Sequence, residues 1–221
     1  MWYSFWQFWS QVLFILLFDI RIYGVRNVPA HGGVILASNH QSYLDPVIVG
    51  LPLPRRISIM AREGLFRFAP FGRLIRSLGA FPVKRSSADV RAMREGLRRL
   101  EGGEQLLLFP EATRTNDGSI RPLQPGLAVL ASHSKAAVVP VVIEGAFECW
   151  PRHRLLFRPG KVRVSYGRPM SYDGKGSAAA QQFVDVLRER MLDLQTELRK
   201  QLSERVGQKS AARRGAAVGV D

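Results

Sequence analysis

Cysteine is nearly missing from this chain: among 221 residues there is one, Cys149. A single thiol excludes an internal disulfide and any cysteine-built metal cluster, and it suits a reducing compartment. Acidic residues are also scarce, with Asp+Glu 18 against Lys+Arg 32 and a net charge of +14. Such a balance calls for an anionic partner: nucleic acid, acidic headgroups, an acidic carrier protein or a phosphorylated substrate. The mean hydropathy of −0.04 argues against a polytopic membrane protein. Three chemical signatures are absent as well: a glycine-rich phosphate loop, a GxSxG nucleophile elbow and paired His/Cys metal spacing. No cofactor or metal is therefore expected.

Charge is missing altogether from the first 18 residues, MWYSFWQFWSQVLFILLF. Trp2, Phe5, Trp6 and Trp9 recur at helical spacing, with Ser4, Gln7 and Gln11 as a weaker polar stripe. Crowded Trp and Tyr favour the membrane–water interface. Eighteen residues make roughly 27 Å of helix, the short limit for crossing a bilayer, so an anchor lying in the interface is the expectation. A core helix of a soluble domain would explain the apolar content but not the aromatic crowding. A cleaved signal peptide is not expected, since no basic residue precedes the run and no small-residue cleavage site follows it.

Beyond it, short apolar runs alternate with amphipathic segments. Strands are expected over 34–38, 56–61, 80–84, 105–109, 137–144 and 161–166. Helices are expected from Ser87 as cap to the Gly102-Gly103 stop, over 126–134 after Pro125, and from Ser177 onward. Alternation of this kind implies an α/β domain with a mostly parallel sheet flanked by helices. The expected division is a membrane-anchoring helix over 1–23, an α/β domain over 24–204 and a basic disordered tail over 205–221. The segment 62–78 interleaves Phe66, Phe68 and Phe71 with four arginines, which suits a lipid surface or a solvated helix face.

Ligands of α/β sheets collect outside the carboxyl ends of strands. His40, Arg85 and Glu111-Ala112-Thr113-Arg114 all follow predicted strands. Within a helix, His40 and Asp45 would point about 140° apart. A histidine in the turn before a helix can instead fold back onto an aspartate at the helix start. Asp45 then fixes the imidazole tautomer and leaves the other nitrogen free as a base. A capping Asp beside a surface His is the plainer alternative, as Ser42 or Asp45 can cap a helix whose first turn holds Pro46. Arg114, with Arg85 and Lys84, reads as an anion site. Cys149 reads as a buried thiol, not a nucleophile.

The segment Asn39-His40-Gln41-Ser42-Tyr43-Leu44-Asp45 resembles the HxxxxD motif of the glycerolipid acyltransferases, specifically the 1-acylglycerol-3-phosphate acyltransferase family. Gly79 to Arg85, Phe109-Pro110-Glu111-Ala112-Thr113-Arg114-Thr115 and the strand centred on Pro140 are similar to the other three motifs, in the same order. The departures are Ala112, where the family usually has glycine, and Lys84, where an acidic residue is common. The resemblance implies a phospholipid-synthesising enzyme on the cytoplasmic face of the cell membrane. In it His40 deprotonates the hydroxyl of lysophosphatidic acid, Asp45 orients the imidazole, and acyl-CoA or acyl carrier protein is the donor. Arg85 and Arg114 would hold the phosphate, with Thr113 beside them and Glu111 either bonding the glycerol or bracing an arginine. Asn39, Ser42, Gly79, Phe109, Pro110 and Pro140 would shape the site. A different lysolipid acceptor keeps the same outline; nucleic-acid binding leaves the aromatic N-terminus and the strand-end His, Asp, Glu and Arg unexplained.

Overall fold

The computed structural model describes residues 2–84 and 89–217. Its centre is a seven-stranded sheet in the order β1-β7-β6-β2-β5-β3-β4, built from β1 (Asp19–Tyr23), β2 (Val34–Ser38), β3 (Ile57–Arg62), β4 (Ala80–Val83), β5 (Gln105–Leu108), β6 (Ala137–Glu144) and β7 (Lys161–Tyr166). Every pairing is parallel except β6 with β7. The central strands read VILAS, QLLL and AVVPVVIE, with almost every residue buried. Unbroken apolar runs are what a sheet covered on both faces requires. The α/β fold with a mostly parallel sheet flanked by helices is as expected.

On one face pack α4 (Val90–Glu101), α5 (Gly126–Ser134) and α7 (Gly176–Ala217), which close over Ile35, Leu106, Leu108 and Val138. Phe183, Leu187 and Met191 of α7 are buried at four-residue steps, the spacing of one helix stripe. On the other face, α1 (Trp2–Leu17) and α2 (Asp45–Gly50) cover Leu36, Leu107, Val139 and Val141. The cap of α4 is Asp89, whose side chain accepts from the amides of Arg91 and Ala92; Ser87, the expected cap, lies outside the described residues. The short helices α3 (Ala69–Ser77) and α6 (Ala146–Cys149) complete the chain. In the 62–78 segment Phe68 and Phe71 are exposed, while the Arg76 guanidinium covers Phe66.

Two boundaries differ from expectation. Residues 19–23 do not continue the N-terminal helix; they form β1, paired with β7 from Asp19↔Lys161 to Tyr23↔Ser165. A buried arginine locks this edge, as Arg163 donates to the Asp19 carbonyl at 2.6 Å and to its carboxylate at 3.1 Å. The α7 helix continues through Ala217, past the point where a disordered tail was expected. The polar stripe of α1 faces inward. Gln7 donates to the carbonyls of Gly50 and Leu53, and Gln11 to that of Leu51, satisfying acceptors left over at the end of α2. Phe14 and Phe18 enter the core beside them, while Phe5, Phe8, Trp9, Leu13 and Leu16 are exposed. Among the described residues, no helix is long and apolar enough to cross a membrane.

Candidate active site

Strand β2 delivers the chain to its carboxyl end at Ser38, and the next residue extends the sheet with its main-chain amide, which donates to the Val141 carbonyl, and with its side chain. The Asn39 amide copies a peptide group: Nδ2 donates to the Ile143 carbonyl at 2.9 Å, and Oδ1 accepts from the Ile143 amide at 2.8 Å. The turn that follows is thereby fastened to β6, whose Pro140 lies opposite Ala37 of β2.

That turn folds back upon the first residue of α2. His40 Nδ1 lies 2.8 Å from Asp45 Oδ2, and the same oxygen accepts from the main-chain amides of Gln41 at 2.6 Å and Ser42 at 2.8 Å. Asp45 is fully buried. An ionised carboxylate only accepts, so in the neutral imidazole this arrangement favours the tautomer with the proton on Nδ1 and a lone pair on Nε2. The His40 ring is stacked on Phe109 at 4.0 Å between centroids and 20° between planes. One face of the imidazole is therefore held by an aromatic ring and one nitrogen by a carboxylate. Together these leave an imidazole of fixed orientation, with 20% of its side chain exposed.

The second segment emerges from β5, beside β2. Pro110 is tied by its carbonyl to the Gln124 amide, and the Thr115 amide donates to the His40 carbonyl at 2.8 Å. Glu111 was expected to hydrogen-bond the substrate glycerol or to brace an arginine. Its carboxylate instead accepts from the His40 amide at 2.9 Å through Oε1 and from the Arg121 amide at 3.0 Å through Oε2, with 4% exposure. Both oxygens brace main chain, so its part in the site is to hold the histidine turn. Burial, opposed by those two amides, raises its pKa to about 7. Ala112 adopts a left-handed conformation with φ of 59°, which explains why glycine would be at home there. Thr113 is half-buried in the same turn.

The Arg114 guanidinium lies over the Tyr43 ring, 3.5 Å from its centroid, and its buried Nη1 has no hydrogen-bond partner among the described residues. A buried guanidinium donor without an acceptor is what an anion-binding arginine presents. Tyr43 was missed from sequence, since nothing in local spacing pairs residue 43 with residue 114. Ser42 donates to the Trp150 carbonyl at 2.9 Å and accepts from the Leu44 amide, so it fastens the turn and does not react. Gly79 needs its positive φ of 102°, because a Cβ there would lie 2.5 Å from the Ile57 carbonyl. Arg85 lies outside the described residues, and Lys84 is exposed, its amide bonded to Asp89. Cys149 is buried, and burial pushes its thiol up to about 11, far from nucleophilic range.

Comparison with known proteins gives this geometry relatives. A model of the acyltransferase family matches residues 19–144. The chain is 29% identical over 161 residues to a 1-acyl-sn-glycerol-3-phosphate acyltransferase of Bacillus subtilis, covering 72% of this chain and 78% of that one. With a chloroplastic enzyme of the same name from Arabidopsis thaliana the identity is 27%; the match takes in 74% of this chain and 47% of that one, about half the plant protein's length. A solved structure, the 1-acyl-sn-glycerophosphate acyltransferase of Thermotoga maritima, superposes with a TM-score of 0.70 at 26% identity, covering 85% of this chain and 77% of the other.

Proposed function

Because the chain belongs to the acyltransferase family, we infer that it moves an acyl group from a thioester to the free sn-2 hydroxyl of 1-acyl-glycerol-3-phosphate, forming phosphatidic acid. The observation that carries this is the 2.8 Å bond from His40 Nδ1 to Asp45, which frees Nε2 to act as base. Nε2 removes the hydroxyl proton as the oxygen attacks the thioester carbonyl. The imidazolium formed is stabilised by the buried carboxylate across that bond. Collapse of the tetrahedral intermediate breaks the carbon–sulfur bond, and the proton on Nε2 leaves with the thiolate. A thioester is already activated, so no acyl-enzyme is needed.

Arg114, stacked on Tyr43 with an unpaired donor, suits the acceptor's phosphate. Arg85 is the further candidate for that anion. The donor is acyl-CoA or acyl carrier protein; both are acidic, and the net charge of +14 matches either. On this reading the outward aromatic face of α1 lies in the bilayer interface, and the enzyme works at the cytoplasmic face of the cell membrane.

The test is His40→Ala assayed with a panel of lysolipids and both donors, reading products by mass. The expected result is phosphatidic acid from the parent protein only, with the variant still folded. Turnover by the variant near the parent's rate would overturn the assignment.

A further inference from the structure

Between α6 and β7 the chain reads Pro151-Arg152-His153-Arg154-Leu155-Leu156-Phe157-Arg158-Pro159. Leu155 and Leu156 are 94% and 80% exposed, the most exposed large apolar side chains among the described residues. The loop is not slack. The Arg154 amide donates to the Pro151 carbonyl, the Arg158 amide to the Cys149 carbonyl at 2.8 Å, and the Trp150 indole to the Arg154 carbonyl. A loop closed at its base and tipped with two leucines displays apolar surface by construction.

Its surroundings indicate the occupant. Phe157 meets Phe18, the residue after α1, with ring centroids 6.0 Å apart, so the loop packs against the end of the helix that carries the outward apolar face. Arg152, Arg154 and Arg158 flank the tip, and no acidic residue occurs from Pro151 to Gly160. Arginines around exposed leucines match anionic headgroups above acyl chains. At the loop's base, Trp150 is fastened to the histidine turn through Ser42 and packs against Tyr43 at 5.2 Å.

We propose that residues 151–159 form a second membrane contact, inserting Leu155 and Leu156 into an anionic bilayer beside α1 and seating the mouth of the His40 site on the lipid surface. This rests on the reading of the chain as an enzyme of lysolipids in membranes. Neither leucine touches the reacting groups, so the contact governs access to membrane-borne substrate and not the chemical step.

The test uses the full chain and vesicles of phosphatidylcholine with 30% phosphatidylglycerol. Leu155→Cys is labelled with an environment-sensitive fluorophore, while the buried Cys149 resists the reagent. The expected result is a blue-shifted emission on adding vesicles. Leu155→Glu/Leu156→Glu should bind the vesicles at least ~10-fold more weakly, the scale set by withdrawing two leucines from apolar burial. That variant keeps turnover on a short-chain lysophosphatidic acid below its aggregation concentration. Equal vesicle binding by variant and parent, with a silent probe, would overturn the loop contact and leave the membrane reading standing. Failure of the parent itself to bind vesicles would overturn both. A probe that responds to protein concentration without lipid would mean that a second copy covers the tip, and would overturn the contact also.

Discussion

Asp45→Asn separates the two tasks that one buried carboxylate performs. In the parent, Oδ2 accepts from His40 Nδ1 and from the amides of Gln41 and Ser42, while the buried Oδ1 has no partner among the described residues. Asparagine can be placed in two ways. With its carbonyl oxygen at the Oδ2 position the three donors are kept, but the NH2 group then fills the site of Oδ1 with no acceptor. A buried unpaired donor costs about 1–3 kcal/mol, or roughly 2–4 °C in Tm per kcal/mol for a domain of this size. With the amide reversed, NH2 faces two main-chain donors, and His40 can meet it only by giving up the Nδ1 proton. The proton then resides on Nε2, and the base is lost. In either placement the carboxylate that stabilises imidazolium is gone, and kcat should fall at least ~100-fold, within the range of positioned general-base catalysis. Asp45→Ala would be less informative, because it strands both turn amides and disturbs the loop itself. The assay is turnover with lysophosphatidic acid and an acyl thioester from pH 6 to 9, alongside thermal unfolding. A variant with kcat within threefold of the parent across that range would refute Asp45 as the orienter.

Other perturbations probe neighbouring parts of the site. Tyr43→Leu removes the ring beneath Arg114, worth about 0.5–2 kcal/mol; KM for lysophosphatidic acid should rise several-fold with kcat held, and Tyr43→Phe should restore it. An unchanged KM would count against Arg114 as the phosphate ligand. Glu111 has its pKa raised to about 7 in the fold from an ordinary 4.5, so the native state binds its proton more tightly than the unfolded chain does. Its stabilising contribution, up to about 3 kcal/mol, is complete below about pH 4.5 and fades as pH rises through 7. The parent's Tm advantage over Glu111→Gln should therefore shrink between pH 5 and 7.5, and a widening gap would contradict the burial argument. Ala112→Gly relieves a left-handed φ of 59° costing roughly 1–2 kcal/mol, against about 0.4–1 kcal/mol of added unfolded-chain entropy; Tm should rise by a few degrees, and a fall would refute the strain.

The parts of this molecule legible in sequence are those where local pattern and burial agree. Strands β2 and β6 could be placed to the residue, because a strand buried on both faces must be a near-unbroken apolar run between polar turns, and β7 because Val162, Val164 and Tyr166 alternate with polar residues. The His40–Asp45 contact was legible for a similar reason. A turn of five residues leaves a histidine few ways to meet an aspartate, and a strand-to-helix junction supplies the one that works. Strand β1 was hidden, although Ile20 and Ile22 alternate with Arg21 and Tyr23, because it follows an apolar helix with one residue between. Its polar alternates include Arg21, whose neighbour Asp19 also pairs with the buried Arg163. That partnership spans 144 residues and leaves no local trace.

The same distinction explains why the role of Glu111 came out differently from expectation, and what engages Gln7. A glutamate two residues beyond a predicted strand reads as a group that faces substrate, and Gln7 reads only as part of a polar stripe on an aromatic helix. Each terminates in main-chain atoms of another segment: Glu111 in the amides of His40 and Arg121, Gln7 in the carbonyls of Gly50 and Leu53. Both neighbourhoods contain backbone groups that a sheet or helix end has left unpaired, and burying such groups without partners costs more than burying a polar side chain that pairs with them. At the ends of parallel strands, where chemistry collects, these unpaired groups collect too. A polar residue there therefore has two claims upon it, substrate and backbone, and only packed coordinates tell them apart. Arg114 and Glu111 stand three residues apart in one turn, yet the first keeps a donor unpaired and the second has both oxygens engaged. The arginine is thus the residue of the pair whose replacement should change recognition of the lysolipid, while the glutamate's should change how firmly the histidine is held.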